Sequence, residues 1–442
     1  MGGGGRQNAA PTERLVNMDT LFKAVTAVLM DDENTVLKDA YVGVEAGKIT
    51  YVGTEPPEGA AESVVDGTHK VLMPGIVNAH THLPMALLRG FADDLDLQTW
   101  LFEHIFPAEE KLTGEIVYTG AQLALMECMA SGTVSVSDMY FFCDDIARAV
   151  AGSGMKANLS RPYMGGEDFD PKDNIRIRDA LDLIDKYHGH DNGRILVDAA
   201  VHAEYTSIAP VWEAAAALAR ERGLGMHVHL SETAFEHNEC VKKYGLTPAA
   251  VLDRHGLFGT RTAAAHCVHL ADGDMDILAA RGVTAVHNPV SNLKLGSGIA
   301  RVRDMRDKGL NVALGTDGSA SNNSLDMFEE MKTAAILHSG DNPLTAAGAL
   351  RLATRNGAAA QGRAAEMGRI AVGMDADLVL VDFDKPHLAP LHNAVSSLVY
   401  SAHGSDVALT MVRGRVLYQN GEFLTVDRER ILYDARRAAC IF

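Results

Sequence analysis

Short runs rich in Val, Ile, Ala and Thr alternate along most of the chain with longer stretches whose apolar residues recur three and four positions apart. Eight of the short runs read as strands: residues 75–79, 133–138, 156–161, 194–202, 225–230, 262–267, 283–288 and 311–317. Helical stretches separate them, among them 121–130, 146–151, 177–187, 211–222 and 274–281, most ending near a glycine able to cap a helix. Strands apolar throughout and spaced by helices predict a parallel sheet with crossover helices. Eight such units predict an α/β fold of the (β/α)8 TIM-like barrel type.

The two flanks have another texture. Residues 24–30, 40–44, 48–52 and 70–73 form short alternating segments punctuated by Asp, Asn, Gly and Pro, the pattern of a small antiparallel β unit. The same pattern returns at 376–383, 407–412 and 415–418. Two half-sheets on either side of a barrel predict one small β-sandwich domain built from both chain ends. The expected division is a Gly-rich disordered tail at 1–17, the first part of the β domain at 18–73, the barrel at 74–370, and the second part with a terminal tail at 371–442.

Composition narrows the partners. The 442 residues are 47% apolar and 22% charged, with a formal net charge of −18. That balance argues against nucleic-acid or anionic-membrane partners, which clustered Lys and Arg recognise, and in favour of a small-molecule substrate. No apolar run reaches membrane-spanning length, and the N-terminus lacks the basic-then-apolar pattern of a signal peptide. The five cysteines are odd in number and contain no Cys-x-x-Cys pair. A reducing, cytoplasmic setting is expected.

The candidate chemistry sits at the ends of the predicted strands: His80-Thr81-His82, His227-Val228-His229, His266, and Asp317 within Gly-Thr-Asp-Gly. A strand alternates its side chains, so His-x-His presents two imidazoles on one face, and barrel catalytic groups lie at the C-terminal strand ends. His80, His82 and His229 as neutral nitrogen donors, with Asp317 as one anionic oxygen, suit Zn²⁺ with a position left for water; Fe²⁺ or Mn²⁺ also fits such donors. Glu232, three residues after His229, is placed for general-acid work. His266 either accepts a proton from the metal's water or serves as a fifth ligand. No lysine occurs between Lys186 and Lys242, where a lysine bridging two metals would be sought, so a single metal is expected.

The strings PGIVNAHTHLPMALLRGFADD (74–94), HVHLSE (227–232), AAHCVHL (264–270), HNPVSNLKLGSGIA (287–300) and LGTDGSASNNSLDMFEEM (314–331) closely resemble the amidohydrolase superfamily. The likeness is greatest to its branch of methylthioadenosine/S-adenosylhomocysteine deaminases and triazine chlorohydrolases, and it covers roughly residues 21–418. The resemblance implies metal binding by His80, His82, His229 and Asp317, and proton transfer by Glu232 and His266 with Asp317. It further implies that Glu109 holds ribose hydroxyls and that Arg161 and His202 contact the nucleoside. His227 is then the dispensable member of its pair. A second arginine for an amino-acid tail has no clear counterpart, although Arg176 and Arg178 lie in the corresponding loop.

The expected reaction is removal of the 6-amino group of an adenine nucleoside (adenosine, 5′-methylthioadenosine or S-adenosylhomocysteine), giving an inosine-type product and ammonia. The competing reading is hydrolysis of a triazine or another aromatic heterocycle, or deamination of a free base such as guanine or cytosine. A non-catalytic scaffold is the least favoured, because it has no need of an open metal site beside Glu232. Homo-oligomerisation is expected of such barrels, without a stated number of subunits.

Overall fold

The computed structural model describes residues 18–442. The expected disordered tail at 1–17 lies outside the described residues. The chain begins with β1 (Met18–Val28), β2 (Val36–Glu45), β3 (Lys48–Gly53), β4 (Ala61–Asp66) and β5 (Lys70–Pro74). There follow β6 (Ile76–Thr81), β7 (Thr133–Met139), β8 (Lys156–Ser160), β9 (Pro162–Tyr163), β10 (Ile195–Val197), β11 (Ala199–Val201), β12 (Met226–Leu230), β13 (Thr262–His266), β14 (Thr284–His287) and β15 (Asn311–Leu314). These are the eight predicted strands. The third is divided at Arg161 and the fourth at Asp198.

All of these neighbours pair in parallel: β6 with β7, β7 with β8, β8 with β10, β9 with β11, and then β11 through β15 in order. Their residues are buried almost without exception, as expected of strands covered on both faces. The ring is joined where β15 meets β6. There the Asp317 amide donates to the His80 carbonyl at 3.0 Å. Beside it the Asn78 side chain donates to Thr316 Oγ1 at 2.7 Å and accepts from the Thr316 amide at 3.0 Å. Gly315 makes this close approach possible, since a Cβ there would lie 2.8 Å from the His80 nitrogen.

Beyond the barrel come β16 (Leu378–Asp382), β17 (Val407–Val412), β18 (Arg415–Gln419) and β19 (Glu422–Phe423). With β1–β5 they form one nine-stranded sheet in the order β19-β18-β17-β16-β5-β1-β2-β3, with β4 also on β1. The two chain ends therefore do share a sheet. The N-terminal unit departs from the antiparallel expectation: β2 runs antiparallel to β1, but β4 and β5 run parallel to it. β4 is an addition to the expected segments: its residues are largely exposed and carry no apolar alternation. Phe22, Val42, Leu72, Leu380 and Met411 from both ends pack into one apolar cluster.

Buried charge fastens this sheet to the barrel. Lys156 on β8 is fully buried, with Nζ 2.6 Å from both Asp375 and Asp377, and Lys48 and Arg413 also reach Asp375. Among the described residues no helix is long and apolar enough to cross a membrane.

Candidate metal centre and active site

Strand ends β6, β12 and β15 bring His80, His82, His229 and Asp317 together, each offering a ligand atom within 4.8 Å of the others. Neighbouring groups fix the nitrogen that each imidazole presents. His82 Nδ1 lies 2.6 Å from the Met139 carbonyl and His229 Nδ1 2.6 Å from the His202 carbonyl, so both donate through Nδ1 and keep a lone pair on Nε2. These two Nε2 atoms face each other at 3.2 Å. Facing lone pairs at that separation call for a proton or a metal ion between them.

His80 completes the set. Its Nδ1 lies 2.9 Å from His227 Nε2, and its fully buried Nε2 has no hydrogen-bond partner. That Nε2 is 3.3 Å from Asp317 Oδ1, and His82 Nε2 is 3.2 Å from the same oxygen. Asp317 Oδ2 accepts from the hydroxyls of Ser291 and Ser321, both at 2.7 Å, which leaves Oδ1 for the cluster. Three nitrogens and one oxygen, converging with their outer atoms satisfied, fit a divalent ion.

Burial pushes His80 and His229 well below the ordinary histidine range, so both are neutral donors. Burial acts the same way on His82, but the Asp317 carboxylate outweighs it and raises the group to about 9. The proton so held and a metal ion would compete for one nitrogen.

Glu232 and His266 stand beside this cluster. Glu232 is buried and raised from its ordinary range, chiefly by desolvation; its Oε2 is 3.6 Å from His266 Nε2 and its Oε1 accepts from Ser297 Oγ at 3.2 Å. The buried carboxylate of Glu236, four residues on, accepts from the amides of Ser231 and Glu232 at 2.9 and 2.7 Å and so holds the turn that presents Glu232. His266 Nδ1 meets Asn292 Oδ1 at 2.8 Å, leaving Nε2 as the basic nitrogen. His266 and Asp317 both adopt positive φ, 71° and 64°, a backbone cost found at functional sites.

A cavity opens over these groups, lined by His82, His229, Glu232, His266 and Asp317 and also by Glu109, His202, Trp100, Tyr140 and Met164. Glu109 accepts from the Tyr140 hydroxyl at 2.6 Å, and burial raises its carboxyl to about 7. His202 bonds Thr206 Oγ1 at 3.0 Å through Nδ1 and is pushed by burial to about 3. Of the apolar stretch 83–88 only Met85 reaches the cavity; the other residues pack in the core.

Arg161 is the exception among the candidates. It is buried where β8 gives way to β9 but does not line the cavity. Its Nε meets Asp179 at 3.3 Å, its Nη1 the Pro162 carbonyl at 3.4 Å, and its guanidinium carbon lies 5.5 Å from the Phe141 ring centroid. His227, set aside in the sequence reading, is instead the group behind His80. Ser291, Ser321, Asn292, Ser297 and Glu236 were not singled out for these contacts. Ser291, Asn292, Ser297 and Ser321 fall within the quoted motif strings, whereas Glu236 lies outside them.

Fold and site together define a metal-dependent barrel hydrolase, and the chain belongs to the Amidohydrolase family, whose pattern matches residues 71–417. The 5-methylthioadenosine/S-adenosylhomocysteine deaminase of Acetivibrio thermocellus is 43% identical over 429 residues, 96% of this chain and 99% of that protein. The 5′-deoxyadenosine deaminase of Methanosarcina mazei is 44% identical, covering 95% of this chain and 98% of that one. Among solved structures, an adenosine deaminase from Xanthomonas campestris with bound zinc superposes with a TM-score of 0.91 at 36% identity, covering 96% of this chain and 98% of the other. An atrazine chlorohydrolase from Arthrobacter aurescens complexed with zinc gives 0.88 at 25% identity, over 95% of this chain and all of that one.

Proposed function

We propose that this chain is a metal-dependent aminohydrolase that removes the 6-amino group of an adenine nucleoside, releasing ammonia and an inosine-type product. The observation that carries the proposal is the pairing of Glu232 with His266 at 3.6 Å beside the histidine–aspartate cluster, on the same cavity as Glu109. The names of the deaminase relatives support the choice of ring.

Held by His80, His82, His229 and Asp317, a zinc ion would supply a water acidified toward a pKa of about 7; Fe²⁺ or Mn²⁺ suits the same donors. The residues divide the proton work. Glu232, whose carboxyl burial raises from its ordinary range, would deliver a proton to ring N1 as the water oxygen adds to C6. His266, with Nδ1–H fixed on Asn292, takes the water proton at Nε2 and passes it toward the departing amine. Asp317 Oδ1 could share that proton, while Ser291 and Ser321 donate to Oδ2. Cleavage of the C6–N bond, with the remaining hydroxyl proton returning to Glu232, would then give ammonia and the 6-oxo ring.

On the cavity wall, Glu109 would accept both hydroxyls of a ribose, and His202, lowered by burial, would meet the ring or sugar as a neutral imidazole. Arg161 could join them only by leaving Asp179. The same reading divides the chain at 18–73, 74–370 and 371–442, with the end segments folded as a sandwich over their shared core. Zinc-loaded protein incubated with adenosine, 5′-methylthioadenosine and S-adenosylhomocysteine should release ammonia as the adenine chromophore disappears. Release from atrazine-type or free-base substrates alone, with none from the nucleosides, would overturn the proposal.

A further inference from the structure

Asp317 turns Oδ1 toward the histidines because Oδ2 is pinned by two hydroxyls, and those hydroxyls come from different loops. Ser291 belongs to the helix Pro289–Lys294 that follows β14, and Ser321 to the short helix Ser319–Asn322 that follows β15. The ladder between β14 and β15 ends at His287 and Leu314, before either serine is reached. Both hydroxyls can meet one oxygen only if the two loops are held at a fixed spacing.

Glu330 links them from the far side. It lies on the helix Met327–Leu337, is 1% exposed and does not line the cavity. Its Oε1 accepts from Asn322 Nδ2 at 2.6 Å and its Oε2 from the Val290 amide at 3.3 Å. Val290 adjoins Ser291 and Asn322 adjoins Ser321, so these contacts close a ring that starts and ends at Asp317 Oδ2. The Asn322 side chain also donates to the Thr316 carbonyl at 2.8 Å, immediately before Asp317. Asp317 itself has a φ of 64°, a conformation that persists only where the surroundings over-determine it.

Stability alone is a poor reason for such an acid. Both partners are neutral, and burial raises its carboxyl well above the ordinary range against their two hydrogen bonds, with Glu329 and Asp317 adding to the rise. A carboxyl group buried without a cation carries a desolvation cost that an apolar side chain of that size does not. An apolar side chain, however, accepts from neither loop.

We infer that Glu330 is a positioning residue for the metal centre, on the metal reading above: it holds the loops after β14 and β15 at the spacing that lets Ser291 and Ser321 aim Asp317 Oδ1 at the ion site. It acts through Val290 and Asn322, and the identity of the substrate does not enter.

The test therefore reads metal binding. Glu330→Met keeps the bulk and removes both acceptors; Glu330→Gln keeps a carbonyl oxygen for Asn322 but turns an NH2 group toward the Val290 amide. Zinc affinity, by competition with a chromophoric chelator, should fall ~10-fold or more in the Met variant, the scale of losing an outer partner of a metal ligand, and by a smaller factor in the Gln variant. Cobalt(II)-loaded protein should show visible absorption bands shifted from the parent's in both variants. Glu329→Gln, at the exposed neighbour on the same helix, should change neither readout. Zinc affinity within ~3-fold of the parent together with an unshifted cobalt spectrum, in either Glu330 variant, would overturn the inference, as would an equal loss in Glu329→Gln. Should the Met variant not fold, the Gln variant decides. A parent protein that binds neither zinc nor cobalt would instead overturn the metal reading on which the inference rests.

Discussion

Replacing His227 with Phe should weaken metal binding while leaving the barrel folded. His227 is buried, and its Nε2 lies 2.9 Å from His80 Nδ1 on the side of His80 away from Asp317. With His227 in place, His80 carries its proton on Nδ1 and leaves Nε2 free for a metal ion. Phe fills much the same space, so little of the loss comes from a cavity. It offers no acceptor, so His80 either keeps an unpaired buried N–H, at about 1–3 kcal/mol, or moves the proton to Nε2 and ceases to be a ligand. Loss of such a supporting contact lowers metal affinity ~10- to 100-fold, about 1.4–2.7 kcal/mol. Competition for zinc against a chromophoric chelator measures this directly, and circular dichroism checks the fold. His227→Gln, whose amide oxygen can still accept from Nδ1, should recover most of the affinity. Zinc bound by the Phe variant as tightly as by the parent, or a Gln variant no better than Phe, would refute this role.

Three further outcomes are expected. Glu232→Gln should retain its zinc stoichiometry by atomic absorption while kcat falls ~10²- to 10⁴-fold, the contribution of a placed general acid. Glu109 is raised by burial to about 7, so it is mostly protonated at pH 6 and ionised at pH 8. Since only the carboxylate accepts both ribose hydroxyls, nucleoside KM should fall over that interval, and Glu109→Gln should flatten the dependence. Lys156→Met leaves Asp377 without its cation in a fully buried setting and should cost about 3–5 kcal/mol in urea unfolding at neutral pH. Asp375 is held at about 2, against burial, chiefly by Lys156, below its ordinary 3.8. Its contribution to stability is therefore present above pH ~4 and lost as the pH falls toward 2, and the Met variant should show less of that acid loss.

The barrel strands were legible because parallel strands buried on both faces leave unbroken apolar runs, and predicted and observed bounds differ by only a few residues. The divisions of the third and fourth strands at Arg161 and Asp198 were not, since they arise where a side chain or a proline leaves the ladder and the apolar run continues beyond. Exposed β4 left no pattern to find, and its parallel pairing with β1 depends on the path of the chain between them. The cluster of His80, His82, His229 and Asp317 was legible from His-x-His spacing and strand-end position. His227, Asn292, Ser291 and Ser321 act through contacts made only by the closed barrel, which no local spacing encodes. Arg161 shows the converse: its place at a strand end was legible, but Asp179, the carboxylate it meets, lies on the following helix.

The seam between β15 and β6 has a consequence for how the protein is made. Asn78 and Thr316, which stitch that seam, are 238 positions apart. At ~5–20 residues per second a ribosome needs roughly ten to fifty seconds to travel between them. Throughout that interval the nascent chain exposes His80 and His82, and later His229, with neither their anionic companion nor the wall that orients them. Such a chain presents scattered imidazoles without selective geometry, open to whichever cation is most competitive. Correct metal loading is therefore an event of the finished ring, and metal content serves as a readout of ring closure as well as of catalytic readiness.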